Sequence, residues 1–245
     1  MKNICLIIEY LGKNYCGYQK QINGISIQQV LEEAIENAIS QKVETYASGR
    51  TDSGVNAFGQ VVNFETDSTI APEKMAVCIN RYLPDDIRVI KSFEVDSDFN
   101  SRFSAKSKTY QYIMVMNRPL SVFEIDRAAH CPYDLDMELL DEACQKILGE
   151  HDFSSFMASK SNIKDNTVRT INAFYFEKCG DTLIFTIEGN GFLYNMVRII
   201  IGTMIDIARG FIDISVIDEM FKGNNRKLGG KTAPAAGLYL KEVEY

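Results

Sequence analysis

The sequence predicts an α+β fold built from two halves, which we place at residues 1–104 and 105–245. Three observations support it. Apolar residues alternate with period two in some segments and follow the helical period in others, so strands and helices alternate along the chain. The 245 residues, 46% of them apolar, can bury a sizeable core. No Pro-, Gly- or Ser-rich linker separates the halves near residues 100–110, so we expect them to share a sheet.

The first half is predicted to contain four strands and two helices. An apolar stripe predicts a helix over residues 26–40, with Ser26 and Gln29 as a capping-box pair at its start. Pro72 begins a second helical segment, and Pro84 follows its end. The four predicted strands are "ICLIIEY", "VETYAS", "GQVVNFET" and "IRVIKSFEV".

The second half repeats this alternation. Two strands joined through Gly180 and Asp181 predict a hairpin. We expect Gly149 to end the helix "MELLDEACQKILG" and Gly210 to end the helix "YNMVRIIIGTMIDIARG". The remaining predicted elements are the strand "KTYQYIMVM", the short helix "SVIDEMFKG" and the closing strand "GLYLKEVEY".

The charge pattern limits the classes of partner. A formal net charge of −7 argues against indiscriminate binding of polyanions. Residues 102–118 and 222–231 nevertheless hold four bases each and no acid, whereas residues 134–152 hold seven acids and one lysine. The basic segments are either solvated faces or a localised surface for an anionic partner.

Cofactor chemistry and membrane insertion find no support in the sequence. The six cysteines lie far apart without a C-x-x-C pair, which predicts reduced thiols, and the two histidines lack metal-ligand spacing. The most apolar run contains Arg198 and Asp206, which a bilayer centre disfavours. The first residues suit a strand better than a signal peptide, so we expect a cytoplasmic protein.

The first candidate for chemistry is Asp52, in the loop and strand segment "GRTDSGVNAFGQV". A loop aspartate often bonds its own backbone and only forms a turn. Alternatively, the loop presents the carboxylate for catalysis, and Arg50 two residues earlier keeps that carboxylate ionised and oriented.

The second candidate is the segment "RFSAKSKTYQYIM". On a strand, Lys108, Tyr110 and Tyr112 point to the same face. This pattern is typical either of an amphipathic edge strand or of a platform on which an unstacked base lies, with Arg102 and Lys108 directed at phosphates.

The third candidate is Arg198, inside an apolar helix. A buried guanidinium requires a partner, so we expect a carboxylate or phosphate beside it. The partner is either part of a structural salt bridge or, if the two halves meet across a cleft, Asp52.

These segments together resemble the bacterial tRNA pseudouridine synthase A family over nearly the whole chain. The "GRTDSGVNAFGQV" segment is similar to the family signature. Six further segments follow in the family's order: "IEYLGKNYCGYQKQ", "LPDDIRV", "RFSAKSKTYQYIM", "GEHDFSSF", "GFLYNMVRIIIG" and "PAAGLYL". The resemblance implies a pseudouridine synthase fold, in which two α/β halves share a mostly antiparallel central sheet with helices packed on it and an active-site cleft lies between the halves.

The resemblance also implies roles for individual residues. Asp52 matches the catalytic aspartate and Arg198 the arginine that pairs with it. Tyr110 matches the tyrosine that stacks on the target uracil, Arg50 the arginine implicated in base flipping, and Leu238 a position lining the uracil pocket. By chemistry, Arg102 and Lys108 are expected to bind the substrate.

The implied reaction isomerises uridine to pseudouridine at positions 38 to 40 of the tRNA anticodon stem-loop, without cofactor or metal. Family members are homodimers, with tRNA lying across both subunits. Two residues depart from the family pattern: Asn56 stands for the usual histidine and Tyr18 for the usual tryptophan.

Two other functions remain open from the residues. One is a catalytically inactive tRNA-binding protein or chaperone on the same fold. The other is a nucleosidase or glycoside hydrolase, a class that needs two carboxylates flanking the bond, whereas Asp52 is the one well-placed candidate.

Overall fold

The computed structural model describes residues 1–116, 118–158, 166–223 and 225–245. Their contacts divide into two compact units, one made of residues 1–106 with 239–245 and one made of residues 107–238. Each unit contains paired β-strands and α-helices. The predicted α+β class is therefore confirmed, while the predicted domain boundary stays a prediction.

The described residues form the following strands and helices in chain order. The strands are β1 (Lys2–Tyr10), β2 (Tyr46–Ala47), β3 (Asn56–Thr66), β4 (Ile87–Val95), β5 (Ser107–Met116), β6 (Ala129–Cys131), β7 (Gly149–Asp152), β8 (Val168–Cys179), β9 (Thr182–Gly189) and β10 (Leu238–Glu244). The helices are α1 (Ile27–Ile39), α2 (Met75–Asn80), α3 (Met137–Gln145), α4 (Met196–Ala208) and α5 (Val216–Lys222).

In the first unit the strands pair in the order β4-β1-β3-β10, and β2 also pairs with β3. Strand β1 is antiparallel to both β3 and β4, and the chain's last strand, β10, runs parallel to β3. Ile4, Leu6, Val62 and Phe64 of the central strands are fully buried. This sheet carries the loop between β2 and β3, where Asp52 lies.

Helix α1 packs through the apolar stripe that the sequence predicts. Ile27, Leu31 and Ile35 are buried, and the Ser26 hydroxyl accepts a hydrogen bond from the Gln29 backbone N–H. The Gln29 side chain donates to Glu33 rather than returning to Ser26. One half of the predicted capping box is therefore described, and it is sufficient to define the helix start.

In the second unit the strands pair antiparallel in the order β5-β9-β8-β7, and the short strand β6 is parallel to β5. The predicted hairpin is confirmed, since β8 and β9 pair on either side of Gly180 and Asp181. Helix α4 lies in this unit and is buried along most of its length.

One predicted helix end is wrong. Helix α3 ends at Gln145 rather than at Gly149, which instead begins β7 and pairs with Ile171 of β8. From Gly149 onward, the backbone N–H and C=O groups pair with strand β8 instead of forming the hydrogen bonds of a longer helix. The strand predicted from "VETYAS" is also shorter, since β2 has two residues. The short strands β6 and β7 were not predicted, because three or four residues carry too little periodicity.

Across the described ranges, no helix combines the length and apolar character that a membrane crossing requires.

Candidate active site

Asp52 lies in a tight turn of the first unit. We call residues 48–55 the Asp52 loop. Its turn is closed by a hydrogen bond from the Val55 N–H to the Asp52 carbonyl oxygen at 3.1 Å. Gly54 has φ +77°, a conformation that favours glycine and explains its place in the motif. Arg50 is exposed and Asp52 is half-buried. Asp52 thus forms a turn with its backbone while its side chain keeps partial access to solvent.

Two buried side chains of the sheet hold the Asp52 loop. Gln60 of β3 donates from Nε2 to the Gly49 carbonyl oxygen at 2.8 Å and accepts from the Ser48 hydroxyl at 2.6 Å. The hydroxyls of Tyr10 and Thr51 are 2.7 Å apart. Gln60 is fully buried and Tyr10 nearly so. The loop is therefore held by hydrogen bonds in a dry environment, where such bonds have little competition from water.

The segment after β1 approaches the same loop very closely. The Gly12 N–H donates to the Asn56 Oδ1 atom at 2.8 Å, and the Ser53 hydroxyl donates to the Tyr15 carbonyl oxygen at 3.2 Å. A Cβ atom on Gly12 would lie 2.1 Å from the Val55 carbonyl oxygen, so only glycine fits there. Asn56, which stands for the usual histidine of the family pattern, is fully buried and accepts this hydrogen bond from the Gly12 backbone through its amide oxygen.

The side chain of Tyr18, which stands for the usual tryptophan of the family pattern, does not bind the backbone in this way. Tyr18 is buried, and its hydroxyl interacts with Thr45 rather than with the Asp52 loop. Burial raises the pKa of this phenol, so it stays neutral at physiological pH. Its contribution is the packing of its ring.

Tyr110 lies on β5 in the second unit. The ring is 8% exposed and meets Phe192 edge to face, with ring centroids 5.0 Å apart and an interplanar angle of 81°. Phe192 follows β9 and was not singled out from the sequence, although an aromatic residue in the "GNGF" segment was a usable signal. Lys108, two residues before Tyr110 on the same strand, is half-buried.

Tyr112 belongs to the core rather than to a stacking platform. It is 1% exposed, and its hydroxyl donates to the Pro234 carbonyl oxygen at 2.9 Å. Burial raises its pKa, and the nearby positive charge of Arg198 opposes the rise. Of the two tyrosines, Tyr110 therefore stays the candidate for stacking on an unstacked base.

Arg198 is half-buried rather than fully buried, which corrects the expectation from the apolar helix. It is the third residue of α4. Its Nε donates to the Ala233 carbonyl oxygen at 2.7 Å, and its Nη1 donates to the Asn195 Oδ1 atom at 2.9 Å. Since Tyr112 binds the adjacent Pro234, one short segment connects Arg198 to the strand that carries Tyr110. Leu238, four residues after Pro234 in the chain, is buried.

The predicted substrate-binding bases differ in their surroundings. Arg102 is exposed, and its guanidinium lies 5.4 Å from the centroid of the exposed Phe103 ring. In the basic segment 222–231, Asn224 lies outside the described residues. Arg226 binds the carbonyl oxygens of Gly229 and Gly230, so it organises this segment. Its three lysines, Lys222, Lys227 and Lys231, are exposed.

All six cysteines are free thiols. The described part of the chain contains no group of three or more His, Cys, Asp or Glu residues arranged to hold a metal ion.

Comparison with known proteins shows a full-length similarity. The sequence profile of a family described as tRNA pseudouridine synthase matches residues 6–104 and 143–245. A tRNA pseudouridine synthase A of Acetivibrio thermocellus is 44% identical over 245 residues, covering 100% of both chains. Proteins of the same name from Clostridium botulinum (strain Eklund 17B) and Bacillus licheniformis are each 44% identical, over 100% and 97% of both chains respectively.

Proposed function

Since this chain belongs to the tRNA pseudouridine synthase family, we propose that it modifies uridines 38 to 40 of the tRNA anticodon stem-loop, with Asp52 as its catalytic carboxylate. The enzyme is an isomerase that converts uridine to pseudouridine in tRNA. The observation that supports the choice of Asp52 most directly is its presentation on a tight turn whose neighbouring residues are held by buried hydrogen bonds.

The reaction defines what the residues must do. The bond between uracil N1 and the ribose C1′ breaks, the ring turns, a bond forms between C5 and C1′, and the C5 proton leaves while N1 takes up a proton. An ionised Asp52 either attacks the ring or the sugar, or assists elimination. Whichever of these steps Asp52 performs, the target nucleotide must first leave the base stack, because its reacting atoms are inaccessible inside the stack.

We assign the other residues supporting roles in this reaction. Tyr110, with its ring orientation restrained by Phe192, stacks on the detached uracil and accepts the C5 proton. Leu238 contributes an apolar wall. Arg198 orients the reacting carboxylate, and the exposed Arg50 contacts the RNA while the base flips.

The exposed or half-buried bases Arg102 and Lys108 are proposed to contact the RNA backbone. We further propose a cytoplasmic homodimer, with tRNA lying across both subunits, as the family resemblance implies.

The test of this function is turnover on an unmodified tRNA transcript in excess over the protein, followed by mapping of pseudouridine. We expect several pseudouridines per enzyme, confined to positions 38 to 40. Binding of tRNA without pseudouridine formation would instead identify an inactive binding protein, and release of free uracil would identify a nucleosidase. Pseudouridine outside the anticodon arm would refute the proposed substrate region.

Arg198 gives a separate prediction. In Arg198→Lys the charge remains, but lysine lacks the planar guanidinium, whose separate Nε and Nη1 atoms donate to Ala233 and Asn195. We expect the single-turnover rate to fall about 100-fold and the free energy of unfolding to fall by about 1–3 kcal/mol. Rapid-quench kinetics and urea unfolding measure the two effects.

The matched control is Arg209→Lys at the other end of α4. Arg209 pairs with Asp206 at 3.1 Å and lies over the rings of Tyr133 and Phe211. That substitution is expected to lower stability and leave the rate unchanged. An Arg198→Lys enzyme with wild-type rate and stability would show that Arg198 has been assigned to the wrong role.

A further inference from the structure

Hydrogen bonds anchor three residues of the Asp52 loop on either side of Arg50 and Asp52. Gly49 is bound by Gln60, Thr51 by Tyr10, and Ser53 by the Tyr15 carbonyl oxygen. The two residues between them, Arg50 and Asp52, are the more accessible neighbours of the buried Thr51. The hydrogen bond between the Tyr10 and Thr51 hydroxyls thus fixes the buried residue that lies between Arg50 and Asp52.

Thr51 and Ser53 both adjoin Asp52 in the chain, and Thr51 is the buried one of the two, with 7% exposure. Its partner, Tyr10, is the last residue of β1 and is 3% exposed. The β1–β3 ladder shifts register between Ile8 and Tyr10. Such irregularities re-aim side chains at the ends of strands. Here the Tyr10 hydroxyl lies 2.7 Å from the Thr51 hydroxyl.

We propose that Tyr10 is a positioning residue for the reaction: its hydroxyl, through Thr51, holds the backbone that presents Asp52. The inference rests on the proposed function, in which Asp52 is the reacting carboxylate. A small misplacement of a reacting group lowers the chemical rate without weakening remote contacts to the substrate. The hydrogen bond should therefore contribute to the rate of the chemical step and hardly to tRNA affinity.

The Tyr10 phenol is suited to a fixed, uncharged contact. Burial raises its pKa to about 12, although hydrogen bonds to Thr51 and Gln60 oppose the rise. The hydroxyl therefore keeps its proton across the physiological range. Its effect on the rate should be constant with pH, unlike that of a group that exchanges protons with the substrate.

The chain supplies a closely matched control. Tyr18 is also 3% exposed and lies in the same unit, but its hydroxyl interacts with Thr45, outside the Asp52 loop. Tyr10→Phe and Tyr18→Phe therefore remove the same atom from equally buried rings. Only the first removes a hydrogen bond to the Asp52 loop.

The experiment measures single-turnover rates and the Kd for an unmodified tRNA transcript in five variants: Tyr10→Phe, Thr51→Val, their double mutant, Thr51→Ser and Tyr18→Phe. We expect Tyr10→Phe and Thr51→Val each to lower the rate about 10-fold with an unchanged Kd, and the double mutant to be no slower than either. Thr51→Ser keeps the hydroxyl and should restore the rate. Tyr18→Phe should match the wild type in rate.

Several outcomes would overturn the inference: a wild-type rate in Tyr10→Phe, additive losses in the double mutant, a loss confined to Kd, or an equal loss in Tyr18→Phe. Asp52→Asn, measured in parallel, separates this failure from that of the proposed function. If Asp52→Asn is inactive and Tyr10→Phe is fully active, only the positioning role is refuted. If Asp52→Asn is fully active, both are refuted.

Discussion

The Asp52→Asn variant is expected to lose pseudouridine formation while remaining folded. Asparagine has nearly the same shape as aspartate but is neutral, so it can neither act as a nucleophile nor stabilise positive charge at the ribose. We expect the single-turnover rate to fall by at least about 1000-fold. The turn at this position is closed by backbone atoms, from the Val55 N–H to the residue-52 carbonyl, and does not depend on the carboxylate. Far-UV circular dichroism and tRNA affinity should therefore stay close to wild type.

Asp96 offers the matched control for this variant. It lies in the same unit and closes a similar turn, in which the Phe99 N–H donates to its carbonyl oxygen at 3.1 Å. Asp96→Asn removes one negative charge from a turn aspartate without touching the Asp52 loop, and its rate should be unchanged. Full activity of Asp52→Asn would exclude a catalytic carboxylate at this position. An equal loss in both variants would point to net charge rather than to Asp52.

Gly12→Ala is expected to have the second large effect, on stability and rate together. The added methyl carbon would lie 2.1 Å from the Val55 carbonyl oxygen and 2.7 Å from the Val55 carbonyl carbon. Real Cβ atoms do not approach this closely, so the backbone of Gly12 or of the Asp52 loop must move. Overpacking of this kind costs about 1–3 kcal/mol in the free energy of unfolding. Displacement of the loop should also lower the single-turnover rate about 100-fold.

Gly24→Ala is the control for Gly12→Ala. Its Cβ would meet the Cys16 Cβ atom at 3.4 Å, which is an ordinary contact. Urea unfolding and rapid-quench kinetics of the two variants isolate the close approach to Val55 from the general cost of replacing a glycine. A Gly12→Ala protein with the stability and rate of Gly24→Ala would contradict the close packing at this position.

The sequence predicted well those features that depend on neighbouring residues. Helix α1, the β8–β9 hairpin and the strands β1 and β4 follow from periodicity, caps and turn residues within a few positions of one another. The prediction failed at Gly149, because pairing with Ile171 overrides a local helix-stop signal. Nor does periodicity distinguish Tyr112 from Tyr110, although the Tyr112 hydroxyl binds the Pro234 carbonyl, far away in sequence.

By itself, the sequence determined the fold class, the family and the candidate residues, because these are written in periodicity and in the order of short motifs. Only the tertiary structure decided how the Asp52 loop is held. Tyr10 and Thr51 are 41 positions apart in sequence, and Gly12 and Asn56 are 44 apart. Which polar groups meet at such separations depends on the register of β1 against β3, including its shift after Ile8. Local patterns do not encode that register, since hydrogen bonds of this kind form only once the sheet has brought both strands together.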